Sequence, residues 1–253
     1  MTYRFLGFAF AAAGLLGAAH AQDGLAPANS IRVSSAAEHL DNGTPTWTEN
    51  SVGMQLRLRQ HEALDLSAAQ TRRFGLNDSS AAASYTLPLT ASLTGTVEAA
   101  ASPTHRVLAE RVIGAGLQLE FAHAWLLHLG ARNSGFDTAS VNQGRVAIEH
   151  YFGNWSASAA WSPTRAYGRN ASGAELRAGY YYGERNAVTL IAAGGQEAAS
   201  VPGGVALTDV RSVALTGRHW FAPRWAATWA VSHTRQGNLY SRSGLTLGAQ
   251  YAF

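Results

Sequence analysis

The chain has 253 residues, with 19 basic, 16 acidic and 9 histidine side chains, a formal charge of +3 and no cysteine. Every basic residue is arginine, and the charges are too balanced and too scattered to form the basic stripe that nucleic-acid binding requires. Without cysteine there are no disulfides, no thiolate chemistry and no lipidated N-terminal cysteine.

In chain order, a short polar start with Arg4 is followed by an apolar run from Phe5 to Ala18, then by Ala19-His20-Ala21. This is the layout of a secretory signal peptide over 1–21, with Gln22 as the mature start and 22–28 as a linker. Loss of Arg4 leaves 18 arginines against 16 acids, a mature formal charge of +2. Beyond the signal, no segment approaches the ~18 consecutive apolar residues of a spanning helix.

From residue 29 onward, apolar and polar residues alternate in runs broken by turn residues. The predicted strands are 29–39, 46–59, 63–75, 79–89, 91–102, 109–122, 124–133, 142–152, 154–164, 172–182, 186–196, 209–221, 224–235 and 240–253. The connections after odd-numbered strands read as the longer set, among them Gly75–Asp78, Ser134–Val141, Arg165–Ala171 and Ala198–Thr208. Those after even-numbered strands read as tight turns, such as Gln60–Glu62 and Gly153. That sorting, with an even strand count, is the pattern of a bacterial outer-membrane barrel. The expected fold is all-β: a closed antiparallel transmembrane β-barrel of about 14 strands over 29–253, with 12 as the alternative count.

Side chains alternate between the two faces of a strand. One parity collects Val52, Leu117, Leu129, Trp161, Leu176, Val213 and Val231, and is expected to face lipid. Trp125, Trp155, Tyr182, Phe221, Trp225 and Phe253 fall near the tight-turn ends, which predicts an aromatic girdle at the periplasmic interface. Arg72, Arg111 and Arg235 share the outward parity near the outer ends, and His150 and His219 share it near the periplasmic ends. The closing strand, with Tyr251 and terminal Phe253, matches the form of an assembly signal read by the barrel assembly machinery.

The other parity collects the charges. An arginine facing lipid near the midplane costs ~2–4 kcal/mol, so a barrel requires this segregation. The expected lumen-lining charged residues are Glu49, Arg57, Arg59, Glu98, Glu120, Arg132, Arg145, Glu149, Glu175, Arg177 and Arg218. Two roles compete for them: mutual pairing that fills a narrow lumen, or a solvated passage for anionic or sugar-like solutes. Glu98 and Glu120 also form a carboxylate pair if their strands bring them face to face. No catalytic set stands out, because Ser232 and His233 are adjacent and point to opposite faces. His123 and His128 likewise fall on opposite faces, which removes the close histidine pair as a metal site.

Several segments resemble the YaiO family of outer-membrane β-barrel proteins. These are Arg73-Phe74-Gly-Leu-Asn-Asp78 leading to Tyr85, Ser102-Pro103, Gly179-Tyr-Tyr-Tyr-Gly183 with Asn186 and Gly194-Gly195, and Tyr240-Ser-Arg242. The resemblance implies a surface-exposed barrel considered alongside envelope polysaccharide systems, and it carries no catalytic or ligand residues. The expected function is a non-enzymatic outer-membrane barrel, either a narrow channel or an accessory protein linked to polysaccharide. The alternative is an outer-membrane enzyme acting on lipid or glycan. Expected partners are outer-membrane lipid, the assembly machinery, and polysaccharide or small solutes; no cofactor, metal or nucleic acid is expected.

Overall fold

The computed structural model describes residues 29–137, 139–201 and 204–253, with the backbone alone for 198–201 and 204–206. The expected signal peptide and linker lie outside the described residues. Fourteen strands follow one another: β1 (Asn29–Leu40), β2 (Trp47–Arg59), β3 (Glu62–Arg73), β4 (Leu76–Pro88), β5 (Leu93–Ala101), β6 (Arg111–Ala122) and β7 (Trp125–Phe136). The second half is β8 (Ala139–Phe152), β9 (Trp155–Ala166), β10 (Arg169–Tyr182), β11 (Asn186–Val201), β12 (Gly204–Ala222), β13 (Trp225–Gln236) and β14 (Tyr240–Ala252). Each pairs antiparallel with its sequence neighbours, and β1 pairs with β14, so the sheet closes into a barrel. The seam is in register from Ser30 opposite Ala252 to Leu40 opposite Arg242.

Parity sorts the two faces as alternation demands. Leu126, Ala147, Ala160, Ile191, Ala214 and Ala226 are buried on one face, whereas Val97, Leu117, Trp161, Leu176 and Leu247 are exposed on the other. The buried face is the inner wall. On the outer wall, the tight-turn ends carry continuous ring ladders: Phe121–Trp125–His150–Phe152, Trp155–Tyr180–Tyr182–His219 and Trp225–Tyr251–Phe253. The two outward histidines are seated in the girdle, His150 stacking on Trp125 at 4.1 Å.

The expected contrast in loop length is weaker than the sequence implied. At the odd-numbered connections, which end away from both termini, only 41–46 and 102–110 are more than short turns. The stretches Ser134–Val141, Arg165–Ala171 and Ala198–Thr208 are mostly strand, so β11 and β12 reach 16 and 19 residues. A tilted transmembrane strand needs only ~9–11 residues, so the excess projects outward as hairpin rather than loop. The reason is turn chemistry. Phe74-Gly75 and Tyr167-Gly168 each place both residues at positive φ (53° and 76°, 52° and 73°). That is the geometry of a two-residue hairpin turn, usually signalled by Asn or Asp before Gly. Here the aromatic ring packs inward instead, Phe74 against Trp47 and Tyr167 against Val141 and Ala166.

Neighbouring strands approach closely where Gly173 and Gly195 meet. A Cβ on Gly195 would overlap the Gly173 Cα and the Ser172 carbonyl, whereas one on Gly194 would sit an ordinary 3.6 Å from the Val210 carbonyl. Gly195→Ala is therefore expected to destabilise the barrel by about 1–3 kcal/mol. Gly194→Ala should leave stability nearly unchanged. Urea titration of the heat-modifiable folded band would measure both.

Candidate functional site

The inner wall gathers charged side chains into ion pairs, within a strand or across neighbouring and next-neighbouring strands. Arg145 on β8 and Arg177 on β10 both reach Glu175, at 2.9 and 2.7 Å. Arg132 on β7 reaches Glu98 on β5 at 2.9 Å, passing over Gly114, where a Cβ would collide with the Glu98 carboxylate. His128 Nε2 lies 3.0 Å from Glu149, and Arg32 lies 3.1 Å from Asp65. These pairs stay partly solvated. The side chains of Arg132, Glu98 and Arg145 are 36%, 38% and 39% exposed although each is paired.

The remaining residues anticipated for the lumen are dispersed. Glu49 accepts from the Thr71 hydroxyl at 3.0 Å. Arg218 is half-buried on the inner face, opposite Ala187 and Thr228. Arg57, Arg59 and Glu120 sit at the tight-turn ends, each exposed. Arg59 is 85% exposed and lies 3.8 Å from Glu62, while Glu120 accepts from the Ala124 N–H at 3.4 Å. Glu98 and Glu120 do not form a carboxylate pair, since register sets Glu98 opposite Gly114 and Glu120 opposite Leu126 near the far end of its strand.

The most deeply buried assembly was not anticipated as a unit. At the outer end of the inner wall, Leu40, Trp47 and Tyr240 form a core with Phe74 and Leu239 packed against it. The Trp47 indole meets Phe74 and Tyr240 edge-on at 4.9 and 5.8 Å. The guanidinium carbons of Arg73 and Arg242 lie 5.1 and 5.3 Å from its ring centre, within cation–π range. Glu38 lies 3.5 Å from Arg242, and Gln236 links Glu197 to Thr208 close by. The sequence carried a signal for this: a tryptophan on the charged parity of β2. Outside the strands, Asp41 accepts from the Ser241 N–H at 2.8 Å, which holds its carboxyl below the usual carboxylate range.

Asp78 fastens the longer of the two outer connections that are more than short turns, 102–110. Its carboxylate accepts from three successive backbone N–H groups, those of Arg106, Val107 and Leu108, at 3.0, 2.6 and 2.9 Å. Ser102 donates to the Ser79 carbonyl and accepts from the His105 N–H. His105 Nε2 also lies 2.8 Å from Asp137, joining the β5–β6 connection to the β7–β8 turn. The Arg73–Asp78 and Ser102-Pro103 segments are thus brought together as the framework of the outer mouth.

Catalytic geometry is sparse. His233 Nδ1 lies 3.0 Å from the Ser243 hydroxyl, a cross-strand pair that adjacency of Ser232 and His233 concealed. Both neighbours of β14 engage Ser243 in register, so the ladder occupies the N–H groups that an oxyanion hole would need. Among the described residues no group of three His, Asp or Glu could hold a metal ion.

A closed fourteen-stranded sheet with a lipid-facing apolar wall, a girdle at one end and a charged inner wall defines an outer-membrane β-barrel. Residues 28–199 match the family described as the YaiO membrane beta barrel domain. With more than half of the sequence covered, the chain belongs to that family. Tyr240-Ser-Arg242 lies beyond the matched range. Among solved structures the chain is similar to the CymD monoaromatic hydrocarbon channel, with a TM-score of 0.61, 10% identity, and 89% of this chain and 88% of that one covered. It is similar also to a protein described as a bacterial polysaccharide outer membrane secretin, with a TM-score of 0.59, 8% identity and 90% and 99% covered. Omp33 of Acinetobacter baumannii gives a TM-score of 0.53 at 11% identity, with 88% and 98% covered. At such identities the likeness is one of fold. No curated protein matches the chain.

Truncating Trp47 to Ala empties the core of the outer mouth and is expected to cost about 3–5 kcal/mol. Asp78→Ala should instead release the β5–β6 connection, so that trypsin cuts after Arg106 in the folded barrel much faster than in the wild type. Heat-modifiable mobility before and after digestion separates the two effects.

Proposed function

We propose that this barrel is a passive, narrow outer-membrane channel for small polar or sugar-like solutes, with an inner wall whose charges are neutralised in pairs. The observation that carries the reading is the partial exposure of Arg132, Glu98 and Arg145 despite pairing, which fits a water-filled space beside them. A fourteen-stranded wall also exceeds the roughly eight strands whose interior side chains alone fill. Pairing of opposite charges predicts weak ion selectivity, because no ring of one sign is presented to a passing ion. The structural neighbours described as channels and as a polysaccharide secretin lend the reading a precedent of fold and no more. The solute, and any link to envelope polysaccharide, belong to this proposal.

A purely structural surface role is the second reading, favoured by the Trp47 core and the fastened connection at the outer mouth. Planar-bilayer recording decides between them. Small, steady conductance steps with weak selectivity are expected. Arg145→Glu turns a cluster of two guanidiniums and one carboxylate into one guanidinium and two carboxylates, so the reversal potential in a salt gradient should shift towards cations. A folded variant that changes only its melting temperature, in a protein that never conducts, would favour the structural role. We also propose that the chain is not an enzyme: purified barrel should leave labelled outer-membrane lipids and glycans intact, and hydrolysis abolished by Ser243→Ala would overturn that.

Tyr251 and Phe253 are proposed to act in delivery to the membrane through the assembly machinery. Phe253 is half exposed, and its N–H donates to the Asn29 carbonyl at 3.0 Å whatever its side chain. The ring contributes roughly 1–2 kcal/mol by apolar area. Phe253→Ala should therefore lower the amount of barrel reaching the membrane while the molecules that arrive melt nearly as the wild type does. Normal membrane levels with a much lower melting temperature would reverse the assignment.

A further inference from the structure

The outer wall is not uniformly apolar. Across β7, β8, β9 and β10, four exposed polar side chains stand side by side in one register row: Asn133, Asn142, Arg165 and Asn170. Asn133 Nδ2 donates to Asn142 Oδ1 at 2.8 Å, and the exposed Arg165 stands in register between Asn142 and Asn170. The row lies at the outer ends of these strands, opposite to the girdle. Arg111 stands one row further out, its chain lying across Gly135.

Directly below this row the wall is hollow. Ala115, Ala131 and Gly144 follow one another across β6, β7 and β8, so the floor consists of the smallest side chains available. Ile113 and Trp161, 63% and 54% exposed, rise on either side of it. Pro163 lines the hollow with its ring against Gly144. Having no N–H it breaks the β8–β9 ladder, whose register lapses between Gln143–Thr164 and Val146–Trp161. The concavity measures about 1070 Å³. The one acid among its lining residues is Glu98, which belongs to the inner wall and is paired with Arg132.

An apolar hollow at hydrocarbon depth, roofed by a cation and three carboxamides, with no outward acid in its lining and the Asp209 carboxylate beyond it accepting from Gln196, is the negative image of an anionic amphiphile. We propose that this face binds the phosphorylated glycolipid of the outer leaflet, with a phosphate on Arg165, sugar hydroxyls on Asn133, Asn142 and Asn170, and an acyl chain over Ala115, Ala131 and Gly144. Position along the strand selects the source. The row sits at the outer end, where the glycolipid is, whereas the diacyl phospholipids of the inner leaflet meet the aromatic girdle. An exposed arginine in an apolar surround also gains from such a partner, because a charge-assisted contact replaces incomplete hydration. The site is separate from the lumen and stands whether or not the barrel conducts.

The test uses the full mature barrel, refolded in detergent without lipid. Four probes are compared: a hexa-acylated diphosphoryl glucosamine disaccharide, its monophosphoryl form, phosphatidylglycerol and inorganic phosphate. Retention of lipid through gel filtration and the melting temperature are read together. The diphosphoryl glycolipid should remain bound and raise the melting temperature, while inorganic phosphate alone should do neither. Arg165→Gln should weaken its binding by about tenfold, the loss expected for one charge-assisted contact. Ala131→Leu, which fills the floor with a side chain that lipid tolerates, should abolish retention without lowering the melting temperature of the lipid-free barrel. Arg72→Gln, an outward arginine on β3 remote from the groove, should bind as the wild type does. Equal binding by Arg165→Gln and Arg72→Gln would overturn the proposal, as would equal retention of phosphatidylglycerol or an equal response to phosphate alone.

Discussion

The structure rests on one constraint: inside hydrocarbon no backbone N–H or C=O can be left without a partner, so the sheet has to close. Pairing of β1 with β14 from Ser30–Ala252 to Leu40–Arg242 removes the last free edge. Closure then fixes everything that parity controls. Once each strand has a neighbour on both sides, its alternate residues have one choice, lipid or lumen. A one-residue slip would send the arginines of β8 and β10 into lipid at ~2–4 kcal/mol each. The ion pairs of the inner wall are therefore a consequence of closure before they are a device of function.

What the inner wall does with its charge depends on where small residues stand. Glu98 lies flat over Gly114, and the Ser232 hydroxyl and the Glu38 chain crowd the place where a Cβ on Gly244 would stand. The same arrangement serves the outer wall, where the Trp229 ring covers Gly217. In each case a long side chain lies across a neighbouring strand instead of standing upright. Laying the carboxylates flat brings them to guanidiniums one or two strands away and keeps the wall thin. A partly exposed pair of this kind contributes at most about 1 kcal/mol to stability, because water screens it. Loss of one partner in the more enclosed Glu175 cluster would cost more, since it leaves a charge with poorer hydration.

Sequence periodicity carried the strand count, the closing strand, the girdle and the segregation of charge, because all of these follow from a period of two. Two kinds of feature were not legible. Turns were mistaken for loops at Phe74-Gly75 and Tyr167-Gly168, where an aromatic occupies a position that local propensity gives to Asn or Asp. The strain of a positive φ on Phe74 is offset by packing on Trp47, a residue 27 positions earlier that no local pattern connects to it. Partnership was equally hidden. Parity says that Glu98 and Glu120 share a face, but only register says that Glu98 reaches Arg132 and that Glu120 lies near the other end. Asp78 appeared as part of a turn, whereas its carboxylate organises three N–H groups of a connection about thirty residues away.

The two ends of the barrel place their aromatic side chains differently: the tight-turn end carries rings on both faces, with Tyr151 and Tyr181 inside, and the asymmetry follows from what each end borders. At the tight-turn end the rings of Trp125, Trp155, Tyr180 and Trp225 point outward, where an amphipathic ring is stable at the lipid interface. At the other end the outward positions turn to Arg111, Asn133, Asn142 and Arg165, and the rings of Trp47, Phe74, Tyr167 and Tyr240 turn inward. Long outer loops commonly constrict the mouths of wide barrels, yet here most outer connections are two or three residues long. At this end the hairpin tips pack aromatic rings on the inner wall. This end of the inner wall is held by buried contacts such as those of Trp47 with Arg73 and Arg242.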